Sequence, residues 1–276
     1  RLLQDVPLAV ILALLVKLRR RGGLDGIEFH GGNWRMTPAE GKALESELRQ
    51  LGADAHFIQA DVRHDREVQD LVDQTVAHFG RLDVAVNNAG TEGQPGLIVN
   101  QTADSYAATF DTNVMGGVNV CEAVRATDSV RTLVYITSDK AYRNVDWEWG
   151  YRETDTLGGR DPYSASKGCA ELVTSAMRRS FFHAPGAAAV ATARAGNVIG
   201  GGDWSEDRLI PDAIRAWQAG DELHIRRPQS VRPWQHVLSL VESYLILLER
   251  MLSGVTARSS SPYGSAWNIG PQPQDC

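Results

Sequence analysis

The sequence predicts an α/β protein built on a doubly wound parallel sheet, and three observations support this fold class. Short apolar segments alternate with amphipathic segments over residues 26–195, each apolar segment ends in polar or glycine residues, and the amphipathic segments are long enough to be helices. Strands that alternate with helices pair in parallel and are covered on both faces. Ligands of such a sheet bind beyond the carboxyl ends of its strands.

Each element follows from its local pattern. The apolar run near the start predicts a helix at 2–20, ended by the glycines that follow it. Leucines at 44, 48 and 51 have the spacing of one helical face, and comparable patterns recur further along. The predicted strands lie at 26–30, 55–59, 82–86, 132–136 and 188–193, and the helices between and after them at 39–51, 67–79, 103–125 and 163–179. Beyond residue 195, loops rich in Gly, Trp and Arg surround short helices at 212–219 and 237–251.

Composition favours a small-molecule partner. The net charge is -6 and the pI is about 5.7, which argues against a nucleic-acid-binding protein. The apolar run at 6–16 is too short to span a bilayer, and its basic residues follow it, so we expect neither a membrane span nor a signal peptide. The cysteines, at 121, 169 and 276, are odd in number and lack ligand spacing, as do the histidines. We therefore expect a cytoplasmic protein without a metal.

One part of a dinucleotide-binding sheet is missing from the pattern. Such a sheet begins with a strand and a glycine-rich turn that receives the pyrophosphate. Glycines occur at 22, 23 and 26, but they follow a predicted helix rather than a strand. We therefore expect a Rossmann-like sheet that lacks its first strand and glycine-rich loop, with helix 2–20 as the helix that would follow that loop.

Chemically distinctive side chains cluster around the strand at 132–136. Ser138, Asp139 and Lys140 follow that strand, where the ligands of a parallel sheet bind. Tyr163 and Lys167 are spaced i, i+4 at the start of the next helix, so they share one face. There the ammonium can lower the pKa of the phenol toward the range used for proton transfer.

These residues resemble the triad of the short-chain dehydrogenase/reductase superfamily, with Ser138, Tyr163 and Lys167 in the matching places. Residues from about 40 to 110 are similar to its classical branch. The resemblance implies that Asp61 and Val62 lie beside the adenine of the cofactor. It also implies that Asn88 and Ala89, in the Asn-Asn-Ala-Gly sequence at 87–90, line the cofactor. Tyr163 and Lys167 would contact the cofactor as well, and Asn113 would be the buried asparagine that supports the lysine.

From about residue 113 onward the chain resembles the extended branch, and within it the CDP-glucose 4,6-dehydratases. The similarity lies in long motifs at 137–140, 147–153, 161–171, 193–204, 207–212 and 232–237. It implies NAD as cofactor and dehydration by C4 oxidation, loss of water across C5–C6 and return of the hydride to C6. Tyr163 is then the base for C4 oxidation and Ser138 binds the C4 oxygen. Asp139 and Lys140 form the elimination pair, with either one as the acceptor of the C5 proton.

The same resemblance implies a nucleotide-sugar substrate. An amide and two guanidiniums, those of Asn197, Arg208 and Arg232, suit a diphosphate, and Trp204 and Trp234 suit a base or sugar. On this basis the chain divides into a dinucleotide-binding domain at 1–195 and a substrate-binding part at 196–276, each incomplete at its outer end. His30 and Arg35 lie where a carboxylate often selects NAD, so the preference for NAD rests on the resemblance alone.

Two alternatives stay open. One is a classical NAD(P)H-dependent oxidoreductase, which the first hundred residues favour and the long interval from Ser138 to Tyr163 disfavours. The other is an inactive truncated or fused chain, because loss of the pyrophosphate loop should weaken dinucleotide binding. A homodimer through the helices that begin near residues 103 and 163 is implied by resemblance.

Overall fold

The computed structural model describes the backbone at residues 15–19 and 23–29, and the chain at 37–93, 101–201, 203–204, 208–225, 227–254 and 261–271. Four parallel strands form the main sheet in the order β4 (Val84–Asn87), β5 (Thr132–Ile136), β6 (Ala189–Ala195) and β9 (Ala266–Ile269). A second sheet holds β1 (Leu15–Arg19), β2 (Gly23–Phe29) and β3 (Ala55–Phe57), in which β2 and β3 are parallel. The predicted doubly wound α/β fold is confirmed.

The prediction of a helix over 2–20 is wrong where the structure describes it. Residues 15–19 form β1, which pairs antiparallel with β2 and lies near β4 on its other side. Periodicity cannot separate a strand from a helix in a short apolar run, so the open edge of β2 decides the conformation. Residues 2–14 and the glycine at 22 lie outside the described residues, as do His30 and Arg35.

Helices cover the sheet as the sequence indicates. They are α1 (Pro38–Gln50), α2 (Asp65–Phe79), α3 (Ala103–Phe110), α4 (Gly116–Ala126), α5 (Pro162–Phe181), α6 (Leu209–Ala219) and α7 (Val237–Gly254). The Thr37 side chain caps α1 together with Glu40, and Gly80 ends α2 in the left-handed conformation. The single helix predicted at 103–125 is divided into α3 and α4 by a π-helical turn, Asp111–Met115.

Residues alternate between the two faces of the main sheet. Leu133 of β5 joins a cluster under α2 and α4, whereas its neighbour Val134 joins a cluster under α7. The same alternation places Ala85 in the first cluster and Val84 in the second. The sheet is therefore buried on both faces, and polar residues are directed to its ends.

The chain beyond residue 195 contributes to the sheet as well as to the loops above it. Strand β7 (Val198–Ile199) pairs with β8 (Gln235–His236) beyond the carboxyl end of β6. In contrast, α7 packs on the main sheet and β9 extends it beside β6. The division at residue 195 remains a prediction, and two elements from beyond it belong structurally to the sheet.

Candidate active site

The end of β5 and the start of α5 bring the predicted catalytic groups together. Ser138 is buried and caps a short 3-10 turn, with its Oγ accepting from the Lys140 backbone N–H at 3.2 Å. The side chain of Asp161 caps α5, and Pro162 occupies its first turn. Lys167 lies one helical turn beyond Tyr163, and its Nζ is 5.9 Å from the centre of the Tyr163 ring. Both residues therefore face the end of β5.

Tyr163 and Ser138 line the same cleft and interact there. Burial raises the pKa of the phenol to about 12, and the carboxylates of Glu92 and Asp139 act in the same direction. A lowering of this pKa by the Lys167 ammonium stays a prediction.

Lys167 is a buried amine near the start of α5. It is 5 % exposed, and its Nζ lies 3.5 Å from the Ile136 carbonyl oxygen, to which it donates. Burial lowers the pKa of Lys167 to about 8, against the opposing effects of Glu171 and Glu92. The amine can therefore change its protonation state near neutral pH, where a surface lysine stays charged.

Asn113 lies in the π-helical turn and is fully buried. Its Nδ2 donates to the Thr91 carbonyl and to Ser166 Oγ, both at 2.8 Å, and its Oδ1 accepts from the Thr91 N–H at 2.8 Å. A Cβ on Gly90 would lie 3.0 Å from Lys167 Nζ and 3.3 Å from Asn113 Oδ1. Asn113 therefore ties the loop after β4 to α5 beside Lys167, and Gly90 is needed for that close approach.

Asp139 and Lys140 differ in burial. Asp139 is half-buried, and burial raises the pKa of its carboxyl despite the nearby Ser138 hydroxyl, Lys140 and Arg232. Lys140 is exposed. A Cβ on Gly196 would lie 3.2 Å from Asp139 Oδ2, so the end of β6 packs directly against this carboxyl group. Asp139 is thus suited to hold a proton, and Lys140 is free to reach a substrate.

A cleft of about 890 Å³ opens above these groups at the carboxyl ends of the strands. Among the predicted site residues it is lined by Asn88, Ser138, Asp139, Lys140, Tyr163, Asn197, Arg208 and Arg232. Trp234 also lines it, whereas Trp204 is 55 % exposed and is not part of the wall. The structure therefore brings most of the predicted catalytic and substrate-binding residues into one cleft, whereas Trp204 and the buried Lys167 are not part of its lining.

The residues predicted to contact the adenine lie after β3. The Asp61 carboxylate forms a hydrogen-bonded ion pair with Arg63, which holds its pKa below the usual range. Val62 is 1 % exposed, and its carbonyl accepts from Asn119 Nδ2 at 2.8 Å. Ala89 is buried after β4, and its N–H donates to Asn87 Oδ1 at 3.2 Å. No cofactor contact of these residues is tested, and their role stays a prediction.

Several polar residues at the site have no counterpart in the sequence predictions. Glu92 lines the cleft and forms an ion pair with Arg208. Glu171 and Arg194 form a buried ion pair of 2.7 Å behind the catalytic groups. A signal for Glu171 exists, since it continues the i+4 spacing of Tyr163 and Lys167, but nothing local pairs it with Arg194.

A family model described as the NAD dependent epimerase/dehydratase family matches residues 25–270. The chain belongs to this family. NAD is the cofactor by which the family is described, and the residues present fit it in two respects. A buried lysine amine lies beside the phenol, and the glycine at position 90 leaves room for that amine, since a Cβ there would lie 3.0 Å from Lys167 Nζ.

Relatives of the chain include a 4,6-dehydratase and a dehydrogenase. CDP-glucose 4,6-dehydratase of Salmonella typhimurium is 42% identical over 226 residues, which cover 76% of this chain and 61% of that protein. The chain thus spans about three fifths of this relative. L-fucose dehydrogenase of Oryctolagus cuniculus is 38% identical over 82 residues, covering 30% of this chain and 28% of that protein.

Solved structures support the fold. The dTDP-glucose 4,6-dehydratase of Bacillus anthracis, solved in complex with NAD, has a TM-score of 0.61 at 22% identity, covering 79% of this chain and 58% of that chain. A short-chain dehydrogenase of Burkholderia cenocepacia, solved with NADP, has a TM-score of 0.62 at 20% identity, covering 90% and 86%.

Two further features bear on ligands and surroundings. In the described ranges, no cluster of three or more His, Cys, Asp or Glu side chains is arranged to hold a metal ion. None of the helices in the described part of the chain combines the length and apolar character of a membrane span.

Proposed function

We propose that the chain is an NAD-dependent nucleotide-sugar 4,6-dehydratase that converts CDP-glucose to CDP-4-keto-6-deoxyglucose. One observation carries the proposal: Asp139 and Lys140 line the same cleft as Ser138 and Tyr163. A simple alcohol dehydrogenase needs only the hydroxyl, the phenol and the amine, whereas elimination of water needs an additional acid and base. The dehydratase relative from Salmonella supports the same reaction class.

The oxidation step uses Tyr163, Ser138 and Lys167. Tyr163 accepts the proton of the C4 hydroxyl while Ser138 donates a hydrogen bond to the C4 oxygen. Lys167 stabilises the phenolate through its charged form. Bound NAD would take the hydride from C4 and later return it to C6.

The elimination step uses Asp139 and Lys140. Asp139 protonates the C6 hydroxyl, which leaves as water, because its raised pKa favours the protonated carboxyl. Lys140 is then left to accept the C5 proton, which the C4 ketone makes acidic. We therefore propose Lys140 as the acceptor of the C5 proton, which it returns to C5 when the hydride reaches C6; the sequence alone left the acceptor open between the two residues.

The arginines of the cleft bind the substrate in this proposal. Arg208 and Arg232 supply guanidiniums for the diphosphate, and Asn197 adds an amide. Trp234, in the wall, is placed to pack on the base or sugar, and Trp204 is proposed for the same role from motif similarity. We also propose a cytoplasmic homodimer with residues 1–195 for the cofactor and 196–276 for the substrate.

The decisive measurement is incubation of the chain with NAD and CDP-glucose, followed by mass spectrometry of the sugar nucleotide. We expect a product that has lost one water, with no net change in NADH absorbance. UDP-, dTDP- and GDP-glucose serve as matched substrates for nucleotide specificity. A product that retains the C6 hydroxyl, or net NADH formation at completion, would show that the reaction is not a dehydration.

A classical oxidoreductase is the second candidate, supported by Asn113 in its π-helical turn and by the L-fucose dehydrogenase relative. Net oxidation of NADH or NADPH with simple ketones, together with inert CDP-glucose, would favour it. Dinucleotide binding is tested separately by titrating NAD into this chain and into one extended by a strand and a glycine-rich loop. Equal, tight binding by both would contradict the prediction that such a loop is needed.

A further inference from the structure

A buried carboxylate continues the catalytic face of α5. Tyr163, Lys167 and Glu171 follow one another at i+4 spacing, so they lie along the same side of the helix. The Glu171 side chain is only 2% exposed. A buried carboxylate is costly unless it is paired, so its partners decide its charge and its effect on Lys167.

Glu171 finds its partners on the strands and not on Lys167. Its Oε2 accepts from Arg194 and from Thr192 Oγ1, both at 2.7 Å, and its Oε1 accepts from Thr137 Oγ1. Thr137 immediately precedes Ser138, so this carboxylate connects α5 to the end of β5 as well as to β6. Arg194 is itself buried, with a side chain 4% exposed, and its positive charge compensates the negative charge of Glu171.

We propose that Glu171 and Arg194 act as a positioning pair, which holds Thr137 and Ser138 against α5. The pair also compensates the negative charge of Glu171, which would otherwise stabilise the charged ammonium form of Lys167. The proposal rests on the proposed function only in the roles given to Ser138 and Lys167. Neither Glu171 nor Arg194 is among the residues lining the cleft, so both act through the residues they hold.

The charged and polar groups that face Lys167 come from four directions. Tyr163 and Glu171 belong to its own helix, and Glu92 lies in the loop after β4. Asn113 approaches from the π-helical turn, and β5 contributes the Ile136 carbonyl. Glu171 and Glu92 both raise the pKa of Lys167, yet burial keeps it lowered to about 8. Removing the charge of Arg194 would leave the Glu171 carboxylate without its counter-charge. Glu171 would then stabilise the charged form of Lys167 more strongly.

Arg194 also connects this pair to the segment between β5 and α5. It donates to the Tyr142 hydroxyl at 2.7 Å and to the Glu153 carbonyl at 3.1 Å. Tyr142 in turn donates to Asn268 Oδ1 at 2.7 Å, at the end of β9. The positioning pair is therefore held from three sides, which fixes the Arg194 guanidinium on Glu171.

The test is a direct pH titration of Lys167 by NMR in protein labelled with ¹³C and ¹⁵N only at lysine. Lysine occurs at 17, 42, 140 and 167, so the spectrum is simple, and Lys167→Arg assigns the signal. We expect Arg194→Gln to raise the pKa of Lys167 by about one unit, because Glu171 loses its counter-charge. Arg194→Lys keeps the charge and should leave that pKa within a few tenths of the wild-type value.

The double variant Glu171→Gln with Arg194→Gln removes both charges and should bring the pKa of Lys167 back to the wild-type value or slightly below it, because the raising effect of Glu171 is lost as well. It also serves as the deciding variant if Arg194→Gln does not fold. An unchanged pKa in folded Arg194→Gln, or a pKa in the double variant lowered by about a unit, would overturn the proposal. These titrations need neither NAD nor a sugar nucleotide, so failure of the dehydratase assay leaves their outcome intact.

Discussion

Glu92 and Arg208 form an ion pair between two parts of the cleft that are far apart in the sequence. Their side chains are 46% and 41% exposed, so solvent screens the pair and it contributes roughly 0–1 kcal/mol. The same guanidinium is proposed to bind the substrate diphosphate. Glu92 therefore competes with the substrate for Arg208.

Replacing Glu92 with Gln should tighten substrate binding. Removal of the competing carboxylate frees Arg208, and we expect the Kd for CDP-glucose to fall about 2- to 5-fold, corresponding to at most about 1 kcal/mol. Isothermal titration at low salt measures this change. Glu148→Gln, which alters an exposed carboxylate outside the cleft wall, is the control. Weaker binding by the Glu92 variant would mean that Glu92 itself contacts the substrate.

Replacing Asp139 with Asn should separate oxidation from elimination. The variant retains Ser138, Tyr163 and Lys167 but cannot protonate the C6 hydroxyl, so we expect dehydration to fall about 10²- to 10⁴-fold. Stopped-flow absorbance should then show NADH accumulating in the first turnover. A variant that dehydrates at the wild-type rate would rule out Asp139 as the acid.

The pH dependence of wild-type turnover gives a second measure of Asp139. Burial raises the pKa of this carboxyl, and the acid form is the active one. Turnover should therefore decline as pH rises through that pKa, and the decline should be absent from the first-turnover oxidation of C4. An identical profile for both steps would point to a different titrating group.

Replacing Lys167 with Met should stabilise the fold while abolishing oxidation. The unfolded amine keeps its proton up to a pKa near 10.5, whereas the folded amine releases it near 8. The unfolded state thus binds more protons between these values, so wild-type stability rises with pH across that window. Below pH 8 the buried charge costs up to about 3 kcal/mol, which the variant avoids.

Urea unfolding at pH 7 and pH 10 tests this prediction. The free energy of unfolding of Lys167→Met should exceed that of the wild type at pH 7, and the difference should shrink at pH 10. Lys140→Met removes an exposed amine and should show no such pattern. Loss of stability at both pH values would indicate that the Lys167 amine contributes net stabilising contacts.

Gly90→Ala tests the close approach of the loop after β4 to Lys167. The added methyl group would lie 3.0 Å from Nζ and 3.3 Å from Asn113 Oδ1, so the amine must move. We expect kcat to fall a few-fold, because the amine must shift by a few tenths of an ångström, less than the misplacement by about 1 Å that costs on the order of 100-fold. At Gly150 nothing lies within 4 Å of an added Cβ, which makes Gly150→Ala the matched control. Equal kcat values for the two variants would show that Lys167 tolerates displacement.

Local patterns predicted those parts of the protein that depend on nearby residues. Strand β5 has the predicted bounds, and α5 begins one residue before its predicted start at Tyr163. The i+4 spacing of Tyr163 and Lys167 placed both on one helical face, and the strand end placed Ser138 beside them. These features follow from periodicities that a single segment carries.

Tertiary structure decided whatever depends on which segments meet. An apolar run at 15–19 became a strand because β2 offered it an edge, although its local pattern also suits a helix. Burial by the surrounding elements raises the pKa of the Tyr163 phenol. The i+4 spacing of Tyr163 and Lys167 does not predict this burial.

The proposed catalytic set of Ser138, Asp139, Lys140, Tyr163 and Lys167 was therefore predicted by the sequence, through strand ends and helical spacing. The ion pairs around this set were not predicted by the sequence. Glu92 meets Arg208 because parallel strands bring their carboxyl ends to one edge of the sheet, and Glu171 meets Arg194 because α5 packs against β6. Glu171 and Arg194 then act at short range in a buried setting, whereas solvent screens Glu92 and Arg208, and no local pattern records either pairing.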